Sequence, residues 1–127
     1  MRREIAIVSI VVICIIILNI ITSKNTNCVM DEITAYLGQV REGIEVQAEE
    51  QMKENIEKVK EIWYKKKNTL SLYIEHNELE KVEMYITNVN TNIEIKEYSR
   101  AIEALDTCNF IIEHIKDRYR LSISNIF

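Results

Sequence analysis

The stretch YIEHNELEKVE, from Tyr73 to Glu83, holds one of the chain's two histidines among four glutamates. His76 and Glu80 are four residues apart and Glu83 follows three residues later, so one helical face would present an imidazole and two carboxylates. His114 is the only remote histidine. In an up-and-down bundle the second and fourth helices run in the same direction, which would place both histidines at the same end of the bundle. His76, Glu80 and His114 are therefore the candidates for a metal or pH-sensing site.

The same stretch has a structural interpretation, which we favour. Asn77 is a good N-cap residue, and Glu80 would then occupy the third helical position, where a capping-box carboxylate reaches back to the cap's own N–H. Glu78 and Glu80 would also place negative charge at the positive end of the helix dipole. The segment HNELE thus predicts the start of a helix, and we assign no metal and no cofactor to the chain.

Residue patterns for enzyme chemistry are scarce. A nucleophilic Ser or Cys needs a base and a tight turn, but the chain has no G-x-S-x-G element and only two glycines, Gly38 and Gly43. It also has no glycine-rich phosphate loop. Its acidic residues would permit a carboxylate pair, although nothing in their spacing singles one out. We therefore expect no catalytic residues and no enzyme activity.

Two further segments have features that suit binding. In WYKKKN, Trp63 to Asn68, three lysines follow two aromatic residues, a pattern more often found on a solvated helix face than at a site for phosphate or acidic polymers. The chain ends in RLSISNIF, although chain termini are normally polar. Its last two residues either fold back over the open end of a bundle or dock to a partner or to the membrane surface. The candidate interaction residues are Ile126, Phe127 and Trp63.

The elements that would position these residues begin with an apolar amino terminus. Arg2 and Arg3 precede the 17-residue run IAIVSIVVICIIILNII, Ile5 to Ile21. As a helix this run is roughly 26 Å long, near the short end of what spans a bilayer. A cleaved signal peptide is the alternative, but the run exceeds the usual apolar region of about 7 to 15 residues and lacks a small-x-small cleavage site. We predict a retained transmembrane anchor over residues 1–23.

The charge distribution predicts how the chain sits in the membrane. Arg2 and Arg3 precede the apolar run, and Lys24 is the only basic residue between that run and Arg41. The positive-inside rule then places the amino terminus in the cytoplasm and residues 24–127 outside it. The latter carry 14 basic and 19 acidic residues, so nucleic-acid phosphates would repel them. We expect a single-pass protein of the cell membrane that contacts lipid through its first helix and does not bind nucleic acid.

The rest of the chain has the apolar spacing of helices. Short connections favour antiparallel up-and-down packing, so the predicted fold is all-α, with an anchor followed by a bundle of about four helices. Trp63 is the expected large core residue, and only LSISNIF suggests a strand. The predicted helices are Val29 to about Gly43, about Glu45 to Ile74, Leu79 to Ile93 with a frayed end at Asn88 to Asn92, and Ser99 to about Lys116.

Cys28 and Cys108 are the two cysteines outside the predicted anchor. Outside the cytoplasm they would form one disulfide if the fold brought their Cα atoms within about 7 Å of each other. Otherwise they serve as small apolar side chains. The sequence leaves both alternatives open.

The order of these elements resembles a known family. An amino-terminal anchor, Trp63 in a long charged helix, then LSLYIEHNELEKVE, IIEHI and a terminal SISNIF are similar to a family of small single-pass membrane proteins of unknown function from Gram-positive, clostridia-like bacteria. The resemblance implies no activity, ligand or catalytic residue. It does suggest a larger membrane protein as a partner.

These observations together predict a membrane-tethered helical domain for protein interaction or scaffolding at the cell envelope. We expect its partner to be a membrane protein. The alternative is a small sensor or ligand-binding bundle that responds to a metal, a proton or an apolar molecule. That alternative requires His76 and His114 to converge on an internal pocket.

Overall fold

A computed structural model describes the backbone of residues 1–124 and the side chains as far as Tyr119. Within this part the chain forms four helices and no strand, as the all-α prediction requires. The helices are α1 (Arg2–Glu45), α2 (Glu49–Leu70), α3 (His76–Glu94) and α4 (Tyr98–Ser124). Because α4 extends to Ser124, the strand suggested by LSISNIF is wrong for the residues of that segment that the structure describes.

The apolar amino terminus and the first bundle helix form one continuous helix, α1. No glycine or proline interrupts the polar stretch TSKNTN between its two halves. The hydroxyls of Thr22 and Thr26 donate to carbonyl oxygens one turn back, at 2.9 Å to Leu18 and 2.8 Å to Thr22, so they are satisfied inside the helix. Among the described residues, α1 alone is long and apolar enough to cross a membrane, a test that a signal sequence also passes.

The four helices form a bundle around one core. Both α1 and α3 pack against α2 and α4, whereas within the described residues the backbones of α1 and α3, and those of α2 and α4, do not approach each other closely. Trp63, only 1% exposed, is the largest of the fully buried side chains, which confirms its predicted place in the core. The predicted core residues that the structure buries are Val29, Ile33, Leu37, Val40, Ile44, Met52, Ile56, Val59, Trp63, Leu70, Ile74, Leu79, Val82, Ile86, Val89, Ile93, Ala101, Leu105, Cys108, Ile112 and Ile115.

Polar side chains also connect neighbouring helices. Between α1 and α4 these contacts run in opposite order along the two helices: the contact residue later in α1 pairs with the one earlier in α4. The pairs are Asp31 with Lys116 at 2.6 Å and Arg41 with Asp106 between α1 and α4, the Gln51 side-chain amide with the Gln39 backbone carbonyl oxygen at 3.4 Å between α1 and α2, and Lys67 with Glu83 at 3.1 Å between α2 and α3.

The segment NVNTN, Asn88 to Asn92, is helical, contrary to the fraying predicted from its low helix propensity. Val89 and Ile93 are buried at 0% and 3% exposure, so packing outweighs the intrinsic preference of the asparagines. Asn92 donates from its side chain to the carbonyl oxygen of Asn88 at 2.8 Å, within the helix.

The two turns that follow α1 and α3 have the same backbone geometry. Gln47 and Lys96 adopt left-handed conformations, with φ of 58° and 60°. Six-residue hydrogen bonds close both turns, from Ala48 N to Gly43 O and from Glu97 N to Asn92 O, each 2.8 Å long. These are Schellman motifs in which a non-glycine residue takes the position that usually favours glycine.

Gly43 lies inside α1, not at its predicted end. A Cβ at this position would be 3.2 Å from both Cγ and the backbone N of Met52, at the start of α2. Gly43 therefore favours the close approach of the turn and the second helix, since a Cβ would push the neighbouring atoms of Met52 back by a few tenths of an ångström.

Candidate functional site

The candidate metal ligands are placed at the α2–α3 connection and on α4. His76 is the first residue of α3, and its Nε2 lies 3.1 Å from Glu80 Oε1, with 80% of the His76 side chain exposed. His114 is exposed on α4. In the part of the chain that the structure describes, no three His, Cys, Asp or Glu side chains are grouped so that they could hold a metal ion. The fold thus brings His76 and Glu80 together without adding a third ligand.

Helix α3 starts one residue earlier than the predicted cap, with Glu75 as the N-cap residue and no side-chain capping bond. The capping box assigned to Asn77 and Glu80 is therefore wrong. The physical reason is that α4 covers this helix start: the hydroxyl of Tyr119 accepts a hydrogen bond from the Glu75 N–H at 3.1 Å. An acceptor from another helix thus does the work that a local side chain was expected to do.

Arg118 completes this cover. Its Nη1 donates to Glu78 Oε1 at 2.7 Å and to Glu75 Oε2 at 3.4 Å, and the first of these hydrogen bonds raises the pKa of the Arg118 guanidinium. Glu78 is only 8% exposed and lies in the first turn of α3. The helix dipole stabilises a negative charge at this position, as predicted. Sequence reasoning missed Arg118 and Tyr119 because the predicted fourth helix ended before them.

A cavity of about 230 Å³ opens between α2 and α3. Within the described residues the Trp63 indole N–H is buried and has no hydrogen-bond partner. Lys67 links the two sides of the cavity, since it pairs with Glu83 at 3.1 Å and lies 4.9 Å from the centre of the Tyr64 ring. The lining residues are Trp63, Lys67, Asn68, Ser71, His76, Leu79, Glu80 and Glu83, which include His76 but not His114.

The outer surface of the same α2–α3 seam is a shallow groove. Tyr64 is 52% exposed and Met84 is 50% exposed on either side of it. In the segment WYKKKN all side chains except Trp63 are at least partly exposed, which agrees with a solvated helix face. The groove presents a mixed apolar and charged surface.

The candidate interaction residues have different outcomes. Trp63 is buried, so its ring contributes to the core and is not available on the surface. Ile126 and Phe127 lie outside the residues that the structure describes.

Cys28 and Cys108 are both free thiols. Cys28 is exposed and Cys108 is buried, so the structure contradicts the disulfide alternative and confirms the apolar role for Cys108 alone. Burial raises the pKa of the Cys108 thiol to about 12. Because the thiolate is the reactive form, Cys108 is a poor nucleophile at neutral pH.

Comparison with known sequences identifies the family of this chain. A family described as Domain of unknown function (DUF4363) matches residues 20–126, and the chain therefore belongs to it. The predicted resemblance to a family of unknown function is confirmed. The match covers most of the bundle and includes only the last two residues of the apolar run. A search of curated proteins and a search of solved structures each returned no match.

Proposed function

We propose that this protein is a membrane-tethered interaction or scaffold domain at the cell envelope, anchored by residues 1–23. The continuity of α1 is the observation that carries the proposal. A flexible linker would let the bundle search for soluble ligands, whereas an unbroken helix fixes its distance and rotation relative to the anchor. Such a fixed arrangement suits a partner that is itself held in the membrane.

We further propose that the helices alternate in direction as an antiparallel up-and-down bundle. The order of the polar contacts supports this arrangement, because Asp31 meets Lys116 while Arg41 meets Asp106. The α2–α3 connection would then face the membrane. Asn25 Nδ2 donates to the Tyr73 hydroxyl at 3.1 Å, which supports a position of that connection beside the lower part of α1.

The proposed orientation places the amino terminus in the cytoplasm and the bundle outside. Arg2 and Arg3 support it through the positive-inside rule. The excess of acidic residues beyond the anchor also supports it, because the anionic cytoplasmic leaflet would repel the bundle.

Cys28 offers a direct test of this orientation, because it is exposed just beyond the predicted anchor while Cys108 is buried. A membrane-impermeant maleimide added to intact cells should label the full chain, and Cys28→Ser should abolish the labelling. Cys108→Ser is the matched control and should leave it unchanged. Labelling only after permeabilisation would reverse the topology.

The anchor itself is tested by alkaline carbonate extraction and by the intact mass of the protein. We expect the full chain to stay in the membrane pellet with residues 1–23 retained. Release into the supernatant, or a mass that lacks the apolar run, would refute tethering and support a cleaved signal peptide.

A ligand-binding bundle is the second candidate. The observation in its favour is the cavity lined by Trp63, whose N–H has no hydrogen-bond partner among the described residues. Trp63 is the only tryptophan, so its fluorescence reports on this cavity. Titration with Zn²⁺ and with an apolar probe such as anilinonaphthalene sulfonate should leave the emission unchanged if the domain is a scaffold. A saturable shift that the cavity-filling change Leu79→Phe abolishes, with Trp63 still the only tryptophan, would favour the ligand-binding function.

A further inference from the structure

The buried face of the bundle part of α1 continues into the apolar segment. Val40, Ile33 and Thr26 are buried at intervals of seven residues, and the next two steps of seven are Asn19 and Val12. A straight α-helix drifts only about 20° per seven residues, so Asn19 stays on the face that Thr26 begins. A parallel stripe of the same spacing runs through Ile44, Leu37, Met30, Ser23, Ile16 and Ser9.

Burial distinguishes this face from the rest of the apolar segment. Between Met1 and Ile21 only Ile16 and Asn19 are half-buried, and every other residue is exposed. Both lie on the two stripes. Because α1 is one continuous helix, this face is in phase with the one that α2 and α4 cover in the bundle.

Asn19 makes this face costly to leave in lipid. The described residues offer its side-chain amide no hydrogen-bond partner, and Thr22 contacts only its backbone carbonyl, at 3.1 Å. An amide that lies in hydrocarbon without a partner is unfavourable, and transmembrane helices satisfy such groups by pairing with a polar side chain on another helix.

A second copy of this chain does not fit on this face. Two packed helices lie about 8 to 10 Å apart, whereas each helix with its side chains is about 10 to 12 Å across. From Thr26 onward, α2 and α4 occupy the space beside this face. A parallel second copy would direct its own α1 into that space, so the two bundles would overlap.

We propose that the face of α1 that carries Val12, Ile16 and Asn19 is a docking surface for a transmembrane helix of a different membrane protein. This inference rests on the proposed function. The partner helix presents a Ser, Thr, Asn or Gln side chain level with Asn19. The partner helix ends at the outer surface of the membrane and is followed by a short loop, because the bundle lies directly beyond it.

The test is photo-crosslinking in native membranes with the full chain. A photo-reactive amino acid is placed at Val12 or Ile16 on the face, and at Ile10 or Ile17 on the opposite side as matched controls. The face positions should form adducts whose crosslinked peptide maps to a membrane-spanning segment of another protein, and the control positions should not. In the Ile16 probe chain, Asn19→Leu should lower the adduct yield about threefold to tenfold. Ile17→Leu should leave it unchanged.

Each other result overturns the inference. Adducts with the mass of two copies would make the face a self-association surface, and an internal crosslink would show that the chain's own carboxyl-terminal residues cover it. Equal yields on both sides, or none, would show that lipid covers the face. If carbonate extraction keeps the protein in the membrane, these results remove the docking surface only. If the protein is extracted, the proposed function fails as well.

Discussion

Rotating the apolar segment of α1 relative to the bundle should allow two copies of the chain to associate. Two alanines inserted after Ser23 rotate the Asn19 face by about 200° relative to the bundle and lengthen α1 by about 3 Å. The bundle would then lie on the side away from Asn19, and two copies could bring their Asn19 faces together. Seven inserted alanines rotate the face by about 700°, which is about 20° short of two full turns, and so restore the original phase.

The assay is disulfide trapping through Ile16→Cys, which leaves Asn19 intact. The background carries Cys14→Ala, Cys28→Ser and Cys108→Ala so that no native thiol competes. After mild oxidation in membranes, non-reducing electrophoresis should show dimers for the chain with two added residues. The natural spacing and the chain with seven added residues should stay monomeric.

The two possible failures have different meanings. Dimers at the natural spacing would show that the bundle does not block a second copy. Equal dimer yields at all three spacings would show that α1 does not transmit rotation between its two parts, which would refute the rigid coupling on which the proposed function depends. Circular dichroism at 222 nm serves as the control that the inserted residues remain helical.

Three further outcomes concern stability and are measured on the full chain in detergent micelles. Gln47→Gly and Lys96→Gly should each stabilise the fold by about 0.5 to 1 kcal/mol, because glycine adopts the left-handed turn without strain; a lower melting temperature would contradict this. Gly43→Ala should lower the melting temperature, since its Cβ would be 3.2 Å from the backbone N of Met52. The raised pKa of Cys108, about 12 against an ordinary 9.0, means that its contribution is present below pH 9 and is lost as the pH rises towards 12. The free energy of unfolding measured with urea should therefore fall above pH 9 by about 1.4 kcal/mol more per pH unit than it does in Cys108→Ala. Parallel plots of this free energy against pH for the two proteins would refute the prediction.

The sequence predicted the core well because helical spacing is a local signal. Val59, Leu105 and Ile112 lie at helical spacing from their apolar neighbours in the sequence, and all three are fully buried. The helix ends were harder to predict. Asn77 has the right chemistry for a cap, but the N–H at the start of α3 is satisfied by Tyr119, which is 44 residues away from Glu75. A contact of that separation leaves no local pattern.

The site residues show the same division between local and distant signals. The proximity of His76 and Glu80 follows from their spacing of four residues, and the structure has it. The relation of His76 to His114 depends on how α3 and α4 pack, and the cavity beside Trp63 includes only His76. Arg118 and Tyr119 were missed for a related reason: the apolar spacing that marks α4 weakens after Ile115, while the backbone stays helical to Ser124.

The predicted boundary between anchor and bundle is where the pattern of α1 is most informative. A helix that only tethers a domain needs no fixed phase with that domain. In α1 the seven-residue spacing that joins Val40, Ile33 and Thr26 continues across the predicted boundary at residue 23. Its next member is Asn19, the most polar side chain of the apolar run. Because α1 is one unbroken helix from Arg2 to Glu45, the backbone carries this phase across the boundary. The same face meets α2 and α4 in the bundle and carries, in the apolar segment, an Asn19 amide with no partner among the described residues. Under the proposed function, α1 would therefore hold the bundle and the docking surface in one fixed rotation.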